Sequence, residues 1–232
     1  MLFVMLMTFC ICIISSTDPS SRSEASKAPN VSGIVCLTDR EISTAIQGFV
    51  SGNASRVDRA RATLVNKSKL SPACRSEIVT ALMKVMDKPN LDFNRDKGSY
   101  YLWLYGAEVL ADLRASEALD LLVSHLNLAH HIYSSSMSHQ PALLGVIRMG
   151  PIAIPKLGEV LRHNPDPKMR YSAVYCLATI GGDSVVGLLK SAQDWESDEC
   201  AKRLIHVSLD SFDGQGNIKN RMEWFTRFTC SK

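Results

Sequence analysis

Aromatic side chains are scarce in this chain, at 7% of 232 residues, while apolar residues make up 46%. So low an aromatic share speaks against an aromatic-rich β-sandwich. It favours a core of Leu, Ile, Val, Ala and Met at helical spacing. Net charge is low as well: a formal +3 falls well short of the basic footprint that nucleic-acid binding requires, so no nucleic-acid partner is expected. With charge modest and apolar residues plentiful, the composition is not that of a disordered protein over most of its length. Strand-like alternation is missing over any useful stretch, and so is a nucleophile setting such as G-x-S-x-G. No catalytic residue and no cofactor is therefore assigned. Length alone leaves one elongated array or two small domains open.

The N-terminal apolar run, Met1–Ile14, is short of the roughly 20 residues that a membrane-spanning helix needs. It suits the apolar region of a signal peptide, with Ser15, Ser16 and Thr17 around the cut, although no Lys or Arg precedes it. Phe9 and Ile11 stand directly before Cys10 and Cys12, where a lipobox needs a small residue. Residues 1–17 are thus expected to be a signal peptide or an N-terminal anchor, the only point of membrane attachment, and 18–35 a disordered linker. Localisation is expected to be exported, periplasmic or extracellular. Export makes Cys36, Cys74, Cys200 and Cys230 disulfide candidates, paired Cys36 with Cys74 and Cys200 with Cys230. Cys176, among Val174, Leu177 and Ile180, reads as a buried free thiol.

Helix signals run along the rest. Thr38 and Glu41 form a capping box ahead of the stripe Ile42, Ala45, Ile46, Phe49 and Val50, which Gly52-Asn53 ends. A more polar helix is expected over Arg56–Lys67. Ser71 and Pro72 open a third, buried through Ile78, Leu82, Val85 and Met86. Helices over Tyr100–Leu113 and Glu117–Leu128 follow. Ala118, Leu119, Leu122 and Leu126 recur 35 residues on as Ala153, Ile154, Leu157 and Leu161. Gly150, Ile154 and Leu157 recur 31 residues on as Gly181, Val185 and Leu188. A period in this range marks stacked helix pairs. The variation falls in the loop around Ser134–Ser138.

The stretch D-P-K-M-R-Y-S-A-V-Y-C-L-A-T-I-G-G-D resembles the second helix of a HEAT repeat, of the short kind found in bilin-lyase-like proteins. Asp166, Arg170, Ala173, Ile180 and Gly181 carry the resemblance, and Pro155 matches the proline of the family's following first helix. The resemblance is strong over about residues 98–209 and weak before. Asp198 and Lys202 repeat the Asp and Arg positions, whereas Ser138 and Pro141 depart from them. It implies an all-α fold, a right-handed α-solenoid of about five antiparallel helix pairs after the signal segment and linker. It also implies that Asp166 and Arg170 tie neighbouring repeats together. The expected division is an N-terminal helical segment over 36–97 and HEAT-like repeats with C-terminal capping helices over 98–232.

Candidate sites are few. Ser211, Asp213, Gln215 and Glu223 resemble a degenerate EF-hand loop, but its first position is Ser211 instead of Asp and its twelfth is Met222, so an ordinary interhelical turn is the expected reading and no metal is assigned. His125, His130, His131 and His139 find no acid or cysteine at a useful spacing to complete a zinc set. The run Arg56, Arg59, Arg61, Lys67, Lys69 and Arg75, interleaved with Asp58, reads as a solvated helix face. Asn30, Asn53 and Asn66 begin N-x-S sequons. Tyr100, Tyr101, Trp103 and Tyr105 are the one aromatic concentration, expected to pack against the N-terminal helices, with a partner-binding surface as the alternative. The leading expectation is an exported binding or scaffold module for an unidentified protein or peptide, without catalytic activity. An enzyme or enzyme subunit of the bilin-lyase-like class, or a structural envelope component, remain the alternatives; oligomeric state is left open.

Overall fold

A computed structural model describes residues 36–89, 91–93, 95–128 and 140–220. Six of the ten helices described begin where a side chain accepts from a free amide of the first turn. In α1 (Asp39–Val50) the Thr38 hydroxyl accepts from the Glu41 amide at 3.2 Å, and Glu41 accepts from the Thr38 amide at 2.9 Å. The capping box is thus closed from both sides. Helix α2 (Ala54–Ser68) starts two residues earlier than expected because Asn53, read as a terminator, is its cap and accepts from the Arg56 amide. Ser71 caps α3 (Pro72–Met86), with Pro72 in the first turn where a missing N–H costs nothing. Asp96 caps α4 (Lys97–Asp112), the longest helix described.

A 3₁₀ turn at Ser116–Ala118 leads into α5 (Leu119–Ser124), which is shorter than the Glu117–Leu128 helix expected. Its end has a local cause. The Leu121 carbonyl is taken by the Ser124 hydroxyl and by the His125 ring nitrogen Nδ1, both at 2.9 Å. The His125 amide then bonds to Leu122, three residues back. Side chains that compete for a helix carbonyl weaken the ladder at that point. Pro141, a departure from the repeat pattern, stands at the first position of α6 (Pro141–Met149). The 3₁₀ turn Gly150–Ala153 precedes α7 (Ile154–His163), followed by α8 (Pro167–Ile180), α9 (Asp183–Trp195) and α10 (Glu199–Ser211).

The described residues are all-α. Among them no strand occurs, only an isolated bridge between Phe212 and Ile218. No described helix is long and apolar enough to cross a membrane. Helices α1, α4, α6, α8 and α10 touch in succession; α5, α7 and α9 do likewise, and α2 packs on α3. Helix α4 is gripped by α1, α2, α3 and α6, so the segment 36–97 and the helices after it share one core. The α4–α6 contact is close because it is made by small residues. A Cβ on Gly145 would fall 2.8 Å from the Ala107 side chain and 3.2 Å from its carbonyl oxygen. Phe49, Trp103, Leu110, Leu122, Leu143 and Leu157 are fully buried along this core. Burying such side chains stabilises by roughly 1.5–3 kcal/mol each.

Candidate interaction surface

Four aromatic residues stand on α4, and the helix divides them. Trp103 and Tyr100 belong to the core, so they leave the surface that sequence grouped them with. Trp103 donates its indole N–H to the Met86 carbonyl at 3.2 Å and lies against His125, 4.7 Å between rings. Tyr100 meets Phe93 edge-on at 5.6 Å. Tyr101 and Tyr105, one turn apart, are only half-buried and stack with centroids 6.2 Å apart and planes 15° from parallel. Tyr101 lies across Gly52, where a Cβ would come within 2.5 Å of its ring. Tyr105 also touches Phe49, at 6.0 Å between rings. Burial, then the neighbouring Tyr101, Glu108 and Asp58, holds the Tyr105 hydroxyl above its ordinary pKa. The pair therefore presents two rigid rings with a polar edge, the kind of side chain that anchors protein interfaces.

The basic run also divides, and the expectation of one solvated face is corrected. Arg61 on α2 donates to Asp112 at 2.6 and 2.9 Å and to Glu108 at 3.3 Å. Arg148 on α6 binds the other oxygen of the same Asp112 at 2.6 and 2.8 Å. Arg75 reaches the carbonyls of Leu113 and Arg114 at the end of α4, and Glu117 beyond them. Cations at a helix C-terminus meet free carbonyls and the negative end of the helix dipole. Lys67 pairs with Glu41 at 3.5 Å. By contrast Arg56 and Arg59 stay exposed with no ion-pair partner among the described residues. Arg40 of α1, which sequence did not group with them, joins them along one groove. Gly48, a glycine inside a regular helix, was the available signal that two backbones approach there.

Asp166 and Arg170 have separate tasks. Asp166 caps α8 by accepting from the Lys168 amide at 2.9 Å. Arg170 forks onto Glu196, in the α9–α10 connection, with contacts of 2.9 and 3.2 Å. Sequence gave no hint of Glu196, whose side chain is 0% exposed. Asp198 repeats the capping role through the Ala201 amide, but Lys202 does not repeat that of Arg170 and only approaches Glu199 at 3.9 Å.

At the EF-hand-like loop the Asp213 carboxylate accepts from the amides of Gln215 and Asn217, at 2.8 and 2.9 Å. Those bonds hold its pKa below the ordinary value. Ser211 donates to the Val207 carbonyl, and the Gly216 carbonyl accepts from Gly182 at 2.8 Å. The loop is thus a turn folded on its own backbone and docked on the Gly181-Gly182 exit of α8; Glu223 lies outside the described residues. Among the described residues no three His, Cys, Asp or Glu side chains gather to hold a metal ion. His130, His131 and His139 lie outside the described residues.

Cys36 and Cys74 are joined, tying the segment before α1 to the first turn of α3. Cys200 is disulfide-bonded too, and Cys230, the partner expected for it, lies outside the described residues. Cys176 is a free, buried thiol. Residues 1–35, with the expected leader and linker, also lie outside the described residues. No family model, curated protein or solved structure matches the chain.

Proposed function

We propose that the chain is an exported helical-repeat protein, a HEAT-like α-solenoid that binds a protein or peptide and performs no bond chemistry of its own. The observation that carries this reading is the Tyr101–Tyr105 stack, held half-exposed on α4 by Gly52 and Phe49. Rigid aromatic pairs lose little conformational freedom when covered, which makes them good anchors for a partner. The solenoid is supported by helices touching in succession as α1, α4, α6, α8 and α10, and by a buried tie between α8 and the α9–α10 connection. Export is supported by the disulfides at Cys36–Cys74 and at Cys200, since such bonds persist in oxidising compartments.

Photo-crosslinking tests it. A benzoylphenylalanine placed at Tyr101 or Tyr105 of the full chain, in its native source, should capture one reproducible macromolecule from both positions. The same probe at exposed Lys190 should not. Equal products at all three positions would overturn the reading.

A further inference from the structure

Helices α1 and α2 enclose a groove of about 520 Å³ whose rims carry Arg40, Arg56 and Arg59. Its floor is made of small residues. Ala45, Gly48 and Ala60 are buried, and a Cβ on Gly48 would stand 3.0 Å from both the Ala60 side chain and the Arg56 carbonyl oxygen. The one carboxylate on its edge, Glu41, accepts from the Thr38 amide and hydroxyl and pairs with Lys67. It is therefore engaged away from the three guanidinium groups. The hydroxyls of Thr44 and Thr63 donate to carbonyls of their own helices, at 2.7 and 2.8 Å. What the groove offers is thus a small apolar floor, with Thr44, Thr63 and Gln47 beside it, between cationic edges.

We propose that this groove binds an extended acidic peptide, its carboxylates on the arginines and its small apolar side chains on the alanine floor. Guanidinium groups pair with carboxylates through two parallel hydrogen bonds, which gives such a contact direction as well as charge. The alternation of an extended chain sends successive side chains to opposite sides, matching a floor and a rim. From Arg40 to Gln47 the wall runs about 10 Å, enough for three or four extended residues. A sulfated glycan calls for an evenly cationic lining, and this one is interrupted by Glu41 and floored by Ala45, Gly48 and Ala60. The inference concerns a surface separate from the tyrosine pair and does not depend on it.

Fluorescence anisotropy of a labelled hexapeptide of alternating Asp and Ala, titrated with the full chain, tests the proposal. We expect saturable one-to-one binding, weakened at least about tenfold in the Arg56→Glu/Arg59→Glu variant and about as much in Arg40→Glu. Lys69→Glu removes a cation outside the groove and should leave binding within about twofold. All four substituted positions are exposed, and unchanged circular dichroism and unfolding midpoints confirm that the variants fold. Equal binding by wild type and the groove variants would overturn the proposal. So would an equal loss in Lys69→Glu, absence of saturation, or tighter binding of a heparin hexasaccharide at the same site. Failure here leaves the crosslinking result at Tyr101 and Tyr105 untouched.

Discussion

Replacing Arg170 with alanine tests how α8 is held to the α9–α10 connection. The Glu196 side chain is 0% exposed and that of Arg170 14%, so the carboxylate is cut off from bulk water and the guanidinium is largely covered. In the variant Glu196 keeps the amides of Ser197 and Asp198 but loses its guanidinium contacts. The carbonyls of Asn164 and Pro165 lose a donor as well, though solvent can replace it at Pro165, which is exposed. Removing one partner of a buried ion pair costs about 3–5 kcal/mol. The two remaining amides place the expected loss near the lower end, about 3 kcal/mol. Against a total stability of about 5–15 kcal/mol, that is a large fraction.

The same variant carries a pH signature. Burial raises the Glu196 carboxyl, but the Arg170 hydrogen bonds, with the amides of Asp198 and Ser197, outweigh it and leave the group below its ordinary value. A carboxyl lowered on folding contributes stability above its unfolded pKa, and that contribution fades as pH falls through the folded one. Without Arg170 the carboxyl loses its strongest lowering contact and moves up, so protonation costs the variant less than the wild type. The deficit is therefore greatest near about pH 7 and shrinks toward about pH 4. Urea unfolding of both proteins at the two pH values measures it. A loss under about 1 kcal/mol at neutral pH, or one equal at both, refutes the argument.

The Cys36–Cys74 bond closes a separation of 38 residues, which chain entropy values at up to about 4 kcal/mol, so Cys36→Ser with Cys74→Ser should lower the unfolding midpoint clearly. An unchanged midpoint would show that the tie does not constrain the unfolded chain. Gly216→Ala puts a Cβ 2.7 Å from the Gly182 backbone at a positive φ and should cost at least about 1 kcal/mol in thermal unfolding. Gly214→Ala, with open space around it, should change little; similar losses from the two would discount the docked loop. Cys176 is buried and its thiol is pushed up by desolvation, so native protein should resist dithionitrobenzoate at that residue until unfolded, and prompt labelling would contradict its burial.

Some helix starts were legible because they are decided within three or four residues, although Asn53, read as ending α1, caps α2. Thr38 with Glu41, and Ser71 with Pro72, announce themselves locally, and the structure places both caps where the sequence put them. Helix ends were less legible when a side chain decided them. Nothing in the apolar spacing of Leu119, Leu122 and Leu126 foretells that His125 and Ser124 take the Leu121 carbonyl and stop α5 at Ser124. The tyrosines show the same divide. Helical periodicity says that Tyr101 and Tyr105 share a face and that Trp103 does not. Which face is covered is decided by tertiary contacts: Met86 of α3, Phe93 and His125 lie against the buried Trp103, while Gly52 and Phe49 leave the tyrosine pair half-open.

The arginines follow from where the acids fall on their helices. Helix α4 carries Glu108 and Asp112 in its last turns, with Glu117 just beyond, at the end where its own carbonyls are free. That end draws in Arg61 from α2, Arg75 from α3 and Arg148 from α6, three cations that lie far apart along the chain. Helix α1 is built the other way. Its acids, Asp39 and Glu41, stand in its first turn beside the free amides, and its last turn has no charge. Acids placed there complement the positive end of the helix and the Thr38 cap. With Glu41 held by Thr38 and Lys67, no described carboxylate pairs with Arg40, Arg56 or Arg59 across the α1–α2 groove. The groove stays cationic because the capping chemistry that starts α1 engages the acid nearest to it.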